Sequence, residues 1–488
     1  MHARKHEHTK ITKLARRYDK QTNTFTYNIT YQTTTTITPR TKTIAEAFGL
    51  GIDQQQKFTL YDNIQLKITP TDIIYITGDS GSGKSTLLKA LKQDLAKQAT
   101  DTADLNIEQN KPIIDTLGKT FNQALQLLSK VGLNDAYLFI RPYRELSDGQ
   151  KHRYRLAKLI ETNKQWWITD EFCSTLDRDT AKTVAYNLQK HARQNNKAVI
   201  AATTHTDLQQ DLKPTVHIHK RFGKEIIINY HPNNPPKQCT LTKQMQIEQG
   251  TYTDYKKLSV FHYRASRCPP PRKIFTLKRQ NELCGVIVYS YPPPTTFGRN
   301  KAWKGKFQQL QKEISTITRV VVHPKYRTIG LGIKLVKDTL TKAETPYVET
   351  LAVMAKYNPF FEKAGMQKIM ESKPNKNILH AIEQLRELGF NPIMLGSTSQ
   401  NLSKIKIVKK LKITEILEEL SRKEGSVRKR LMSTNTVYPK HEQFIKKIRS
   451  LDDKGLAIAL RKLAFLAQTK VYLFWQHAKL ADAKAEKD

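Results

Sequence analysis

Ile73-Ile74-Tyr75-Ile76-Thr77 runs without a break into Gly78-Asp79-Ser80-Gly81-Ser82-Gly83-Lys84-Ser85-Thr86, and Leu87, Leu88, Leu91 and Leu95 follow at helical spacing. The first five residues read as a short buried strand and the leucines as one apolar face of a helix. The stretch between them fits GxxxxGKS/T. Glycines there let backbone N–H groups curl around a phosphate, and a lysine in the Lys84 position reaches the β and γ oxygens. Ser85 is expected to ligate Mg²⁺. Strand, loop and helix in this order predict a layered α/β domain that binds ATP.

Two later stretches complete the site. Gln165-Trp-Trp-Ile-Thr-Asp170-Glu171 is an apolar strand ending in two carboxylates. Asp170 falls beside the metal, and Glu171 is placed to polarise the attacking water. Leu146-Ser147-Asp148-Gly149-Gln150 precedes a helix that carries Tyr154, Leu156, Leu159 and Ile160. This resembles the LSGGQ signature of ATP-binding-cassette (ABC) ATPases, with Asp148 in place of one glycine. The resemblance extends to Ser174-Thr-Leu-Asp177, similar to the D-loop, and to His205, similar to the switch histidine that contacts the γ-phosphate. Gln109 stands where a Q-loop residue would. A serine at a helix N-terminus favours phosphate, and the family resemblance implies that Ser147 faces the phosphate loop of a second copy. It therefore implies a homodimer that ATP closes and hydrolysis reopens. Roughly 60 residues part Lys84 from Ser147, too few for the many heptads of a long coiled coil.

Working outward, alternation of Phe25, Tyr27, Ile29 and Tyr31 with polar residues gives residues 1–45 a β-rich character. The ATPase domain is expected over 46–230, closed by the linker His231-Pro-Asn-Asn-Pro-Pro236. A mixed α/β domain follows over 237–374, and 375–488 reads as helical and basic, with Lys404–Lys412 and Arg428–Arg430 as charge clusters. The balance is 82 Lys+Arg against 44 Asp+Glu, a net +38. Such an excess points to a polyanionic partner, with nucleic acid the usual one, against the plainer reading of a solvated basic surface. No apolar run approaches the ~20 residues a bilayer crossing needs. Met1–His8 has no apolar stretch after its charges, so it does not read as a secretory signal. His2, His6 and His8 can chelate a metal but read more plainly as a frayed terminus. Cys173, Cys239, Cys268 and Cys284 form no CxxC pair, as expected of reduced thiols in a cytoplasmic protein.

The 237–374 stretch carries a second motif. Thr318-Arg-Val320-Val321-Val322-His-Pro324 reads as a strand and its exit, leading to Arg327-Thr328-Ile329-Gly330-Leu331-Gly332 and a helix with Ile333, Leu335, Val336 and Leu340. The loop resembles the Arg/Gln-x-x-Gly-x-Gly/Ala segment of GNAT acetyltransferases, whose backbone amides cradle the pyrophosphate of acetyl-CoA. Tyr357-Asn358-Pro-Phe-Phe361-Glu-Lys-Ala-Gly-Met366 resembles a late segment of the same fold. The resemblance implies an acetyl-CoA site from Val320 to Val322, Arg327 to Ile333, and Asn358. Many members carry, where Phe361 stands, a tyrosine that protonates the departing thiolate. Tyr357, a water, or positioning alone then has to substitute. His262, His323 and Glu349 remain open as bases. The pairing resembles archaeal ABC-type ATPases fused to a GNAT-like domain. Since acetyl-CoA is already activated, the expected task of ATP is mechanical. The leading expectation is an ATP-dependent acetyltransferase acting on nucleic acid or a nucleic-acid-bound substrate. The alternatives are an ATP-regulated protein or amine acetyltransferase, and a nucleic-acid or ribosome-binding clamp with a non-catalytic GNAT module.

Overall fold

The computed structural model describes residues 9–33, 36–51, 56–262, 268–373, 375–432 and 439–477; the His2/His6/His8 cluster lies outside them. The chain divides into two compact units. The first comprises Met1–Cys268, Ile274–Ile287 and Arg319–Leu335, and the second Pro269–Lys273, Val288–Thr318 and Val336–Asp488.

The first unit opens with three antiparallel strands, β1 (Thr9–Asp19), β2 (Thr24–Thr33) and β3 (Gln56–Lys67). A six-stranded sheet follows, built from β4 (Ile73–Gly78), β5 (Ala99–Asp101), β6 (Trp166–Thr169), β7 (Ala198–Ala202), β8 (Val216–Lys220) and β9 (Ile226–Tyr230). Its order is β5-β6-β7-β4-β8-β9, parallel except for β9. Three helices matter to the site: α1 (Lys84–Leu95), α2 (Asp148–Glu161) and α3 (Arg178–Gln194).

Period-two alternation splits the strand residues between two cores. Ile73 and Tyr75 pack with Leu156 and Leu159 of α2 and Val184 and Leu188 of α3. Ile74 and Ile76 pack with Leu87, Leu88 and Leu91 of α1 and with Phe25, Tyr27 and Tyr61 of the first sheet. The N-terminal strands thus form a separate sheet laid over α1 and do not extend the parallel one.

Beyond β9 come β10 (Gln246–Gln249), β11 (Pro271–Arg279), β12 (Glu282–Ser290) and β13 (Ile314–Val322), the last three contributing residues to each unit. Within the first unit β10 pairs antiparallel with β11. The loop after β13 leads into α4 (Leu331–Thr339).

In the second unit β13 pairs in parallel with β14 (Tyr347–Ala352). The helical region has its own core, made by α5 (Lys376–Glu387), α6 (Thr398–Ile405), α7 (Lys410–Lys423), α8 (Val427–Met432), α9 (His441–Ser450) and α10 (Asp453–Leu466). It is not the end of the fold, as an all-helical reading of 375–488 expects. After α10 the chain returns as β16 (Val471–Gln476), antiparallel between β14 and β15 (Gln367–Glu371). Val471-Tyr-Leu-Phe-Trp is a run of β-branched, apolar and aromatic residues that favours a pleated, half-buried surface. Arg299 and Tyr472 then lock onto Glu349 of β14, with hydrogen bonds of 2.9 and 2.6 Å from the guanidinium and 2.9 Å from the phenol.

Candidate functional site

The site grows from the C-terminal ends of the parallel strands, where an open α/β sheet offers a crevice. β4 is wholly buried and ends at Gly78, whose φ is +140°. A Cβ there would lie 1.9 Å from the Lys220 carbonyl oxygen, so only glycine lets the loop leave the sheet. Asp79, Ser80, Gly81 and Ser85 are exposed; Gly83 and Thr86 are half-buried. Gly83 precedes α1 and offers no side-chain cap, leaving helix-start N–H groups for an anion. Ser82 Oγ is buried and has no hydrogen-bond partner among the described residues, an orphaned group in the middle of the Gly78–Thr86 loop. These features fit ATP.

Lys84 is buried and donates to the Gly78 and Asp79 carbonyls at 2.8 and 2.6 Å. Burial pushes its pKa down, against the pull of the nearby Glu171, Asp170 and Asp79 carboxylates. The fold therefore brings the loop lysine and the two acids that end β6 within electrostatic reach of each other. Glu171 is exposed and has φ +48°, an uncommon conformation for a residue with a side chain, and its N–H donates to Asp170 Oδ1 at 3.0 Å. The turn is pinned on two sides. Phe172 N–H reaches Ala202 of β7 at 2.8 Å, and Cys173 N–H reaches His152 Nε2 of α2 at 3.1 Å. His205 follows β7, and its carbonyl accepts from the Tyr75 hydroxyl at 2.5 Å.

The remaining nucleotide-site candidates are on the surface of this unit. Ser147 caps α2 in a reciprocal box with Gln150, Oγ accepting from Gln150 N at 3.4 Å and Ser147 N donating to Gln150 Oε1 at 3.0 Å. Gly149 follows in the first turn. Asp177 caps α3 through Thr180 N at 3.1 Å. Gln109 is exposed, its amide turned to the Ile107 carbonyl at 3.3 Å. Reading motifs alone misses the braces under the loop: Tyr61 donates to the Gly83 carbonyl at 2.9 Å, and Tyr31 meets Thr86 Oγ1 at 3.1 Å. The alternation that reveals the β2 strand contains Tyr31; nothing local ties it to the loop.

The Arg327–Gly332 loop sits in the same unit as this site. Val321 is buried, Val320 and Val322 half-buried. The Arg327 guanidinium donates to the carbonyls of Val322 at 2.9 Å, Asn134 at 2.8 Å and Phe261 at 3.3 Å, so it holds the loop in place. Thr328, at φ +74°, accepts from Asn187 of α3 at 2.8 Å. Ile329 is buried, its carbonyl accepting from Thr242 at 3.4 Å. Gly330 has φ +87° and is exposed, with nothing near where a Cβ would be. Leu331, Gly332 and Ile333 open α4 directly behind it. An open glycine before a helix start fits a pyrophosphate. Elsewhere, in the second unit, Asn358 is exposed and Phe361 buried.

A charge cluster joins the two motifs within the first unit. Asp179 of α3 meets Arg279 and Lys325, each at 2.9 Å, and accepts from Tyr326 at 3.0 Å; Lys325 also lies 3.7 Å from Asp177. Burial works to raise the Asp179 carboxyl, and the three donors outweigh it, holding its pKa at about 2.

A family model described as "ABC transporter" matches residues 61–111. The cytochrome c biogenesis ATP-binding export protein CcmA of Reclinomonas americana is 32% identical over 178 residues, covering 30% of this chain and 79% of that protein. CcmA 1 of Cupriavidus metallidurans is 26% identical over 214 residues, covering 36% and 99%. Among solved structures, the dimeric post-hydrolysis ATP-binding cassette MJ0796 bound to ADP and Pi aligns at 18% identity, TM-score 0.32, over 37% of this chain and 94% of that one.

Proposed function

The chain belongs to the family of ABC-type ATP-binding proteins, and from that premise we propose that its ATP cycle drives an acetyl-CoA-dependent N-acetyltransferase acting on nucleic acid or on a nucleic-acid-bound substrate. The observation that carries the coupling is the Asp177–Asp179–Lys325–Tyr326 cluster. It ties the start of α3, directly after the D-loop-like Ser174–Asp177, to the residue before Arg327. Movement of α3 is transmitted to that loop through these direct contacts.

In this reading Gly78–Thr86 embraces the ATP phosphates, with Lys84 supplying charge, and Ser85 and Asp170 hold Mg²⁺, which when bound neutralises phosphate charge. Glu171 takes the proton of the attacking water, and His205 and Gln109 sense the γ-phosphate. Ser147, Gly149, Gln150 and Asp177 complete the site of a second copy, making an ATP-dependent homodimer. Gly330 and the start of α4, with Val320–Val322 and Arg327–Ile333, form the acetyl-CoA site within the first unit. Transfer joins an acceptor amine nitrogen to the thioester carbonyl carbon, breaks the C–S bond and leaves the amine's proton for the thiolate. Phe361 has no proton to give, and Tyr357 is the nearest phenol in sequence. Glu349 is fully buried and accepts from Arg299, Thr316 and Tyr472, so it serves the fold rather than as a base. In this reading the 237–374 stretch is completed by β16 of the C-terminal region.

The named relatives are export proteins. Among the described residues no helix is long and apolar enough to cross a membrane, so an export role would rest on a separate membrane partner. The net charge of +38 favours a polyanion instead.

The test is transfer of radiolabelled acetyl from acetyl-CoA to cellular RNA, DNA and protein, with and without ATP. Label entering nucleic acid and rising with ATP is expected. Label in protein alone identifies an ATP-regulated protein acetyltransferase. No label anywhere leaves an ATP-driven clamp with a non-catalytic second fold.

A further inference from the structure

A run with no Asp or Glu extends from Leu283 to Lys312 and holds Arg299, Lys301, Lys304, Lys306 and Lys312. Its middle part, Tyr291 to Phe307, is irregular but for a short helix at Arg299–Ala302, belongs to the second unit and is anchored firmly for a surface segment. Arg299 is buried and forms its ion pair with Glu349. Trp303 packs against the Leu310–Ile314–Tyr472–Phe474 cluster while its Nε1 donates to Glu313 at 2.8 Å. Arg299, Ala302 and Trp303 face inward, while Asn300, Lys301, Lys304, Lys306 and Phe307 are exposed. Lys301, Lys304 and Lys306 are exposed and have no ion-pair partner among the described residues.

The aromatic residues of the same segment also face water. Phe307 is 70% exposed, Tyr291 46% and Phe297 37%. The Arg272 guanidinium sits 5.0 Å from the Tyr291 ring centroid and is itself fixed by the Ile314 and Gln311 carbonyls at 3.1 and 2.7 Å. Exposed rings among unpaired lysines, on a loop held by a buried ion pair, form a preorganised surface with one matching chemistry: flat aromatic bases along a phosphate backbone.

We propose that Tyr291–Phe307 is a docking surface for single-stranded RNA, with Tyr291, Phe297 and Phe307 stacking bases and Lys301, Lys304 and Lys306 meeting phosphates. This rests on the nucleic-acid reading above and assigns the contact to this segment rather than to the charge clusters Lys404–Lys412 and Arg428–Arg430. Stacking demands unpaired bases, which selects single strands over duplexes. The exposed Asn300 amide can both donate and accept, so it can meet a 2′-hydroxyl, a contact DNA does not offer.

The full chain is titrated into a fluorescein-labelled single-stranded RNA of mixed sequence, with the same sequence as DNA and as duplex in parallel. The parent should bind the single-stranded RNA most tightly. Tyr291→Ala with Phe307→Ala should weaken binding about tenfold or more with an unchanged salt slope. Lys301→Ala, Lys304→Ala and Lys306→Ala together should lower the slope of log affinity against log salt by about 2. ATP hydrolysis and the melting midpoint report that each variant is folded. Unchanged affinity in both variants, with loss on replacing Lys404, Lys406, Lys409 and Lys412 by Ala, overturns the surface and leaves the nucleic-acid reading standing. Tighter binding to DNA overturns the choice of RNA, and no binding by the parent overturns both.

Discussion

Glu171 stands at φ +48° at the start of a turn whose next two residues, Phe172 and Cys173, are pinned through their N–H groups, and in the proposed cycle its carboxylate is the general base. Replacing it by Gln keeps the shape and removes the base. Glu171→Gln should slow ATP turnover by about 100-fold or more and accumulate an ATP-bound dimer in size-exclusion chromatography; unchanged turnover removes Glu171 from the mechanism. The same turn depends on a neutral imidazole, because His152 Nε2 must accept from Cys173 N–H. Burial, with Arg155 and Arg153 nearby, pushes the His152 pKa down to about 4. An unfolded chain takes up that proton below about 6.5, whereas the folded one resists until about 4. The stabilising contribution is therefore complete above pH 6.5 and disappears as pH falls from 6.5 to 4, on the order of 3 kcal/mol in all. The melting midpoint should fall with acid across that window. In His152→Gln, whose amide oxygen still accepts, the part of the slope due to this residue should vanish; an identical slope in both proteins refutes it.

Elements differ in how openly the sequence declares them. The β4–loop–α1 unit is legible because apolar strand, glycines, lysine and helical leucines are contiguous, and every contact that shapes the loop from within is local. Asp170 and Glu171 are legible for a similar reason, a buried strand that ends in acids. What stays hidden is long-range. Tyr61 and Tyr31 reach the loop from a separate sheet, and β16 returns to pair between β14 and β15 after six helices. No periodicity encodes which edge a strand joins. The tie between Asp179 and Lys325 likewise depends on packing and leaves no mark on either motif. Gly330 lies between these extremes, since the sequence suggests its loop and the backbone supplies the reason for glycine. With φ +87° and open space around it, a carboxylate there would stand at the start of α4 and oppose a pyrophosphate. Gly330→Glu should lose CoA binding in calorimetry by about tenfold or more while ATP hydrolysis stays within about twofold. Gly330→Ala carries the same backbone penalty, on the order of 1 kcal/mol, without the charge. A CoA isotherm unchanged in Gly330→Glu removes the site.

At the scale of the whole molecule, the charge of +38 sets a condition on the proposed ATP-closed homodimer. Two copies that approach to share ATP bring two large positive fields together, and at low ionic strength that repulsion acts over the ~30 Å Debye length of 0.01 M salt. Near 0.15 M the range shrinks to about 8 Å, and only charges at the contact itself still matter. An interface held mainly by ion pairs weakens as salt rises. One held by ATP phosphates between buried loops, and opposed by net charge, strengthens. For Glu171→Gln with ATP, sedimentation should show the dimer dissociation constant falling as salt increases from 0.01 to about 0.15 M. A short single-stranded RNA at low salt should replace the effect of salt by neutralising the same charge. A dissociation constant that rises steadily over that range means that ion pairs across the interface, rather than shared nucleotide, hold the two copies together. A dimer indifferent to both salt and RNA means that the excess charge lies far from the contact.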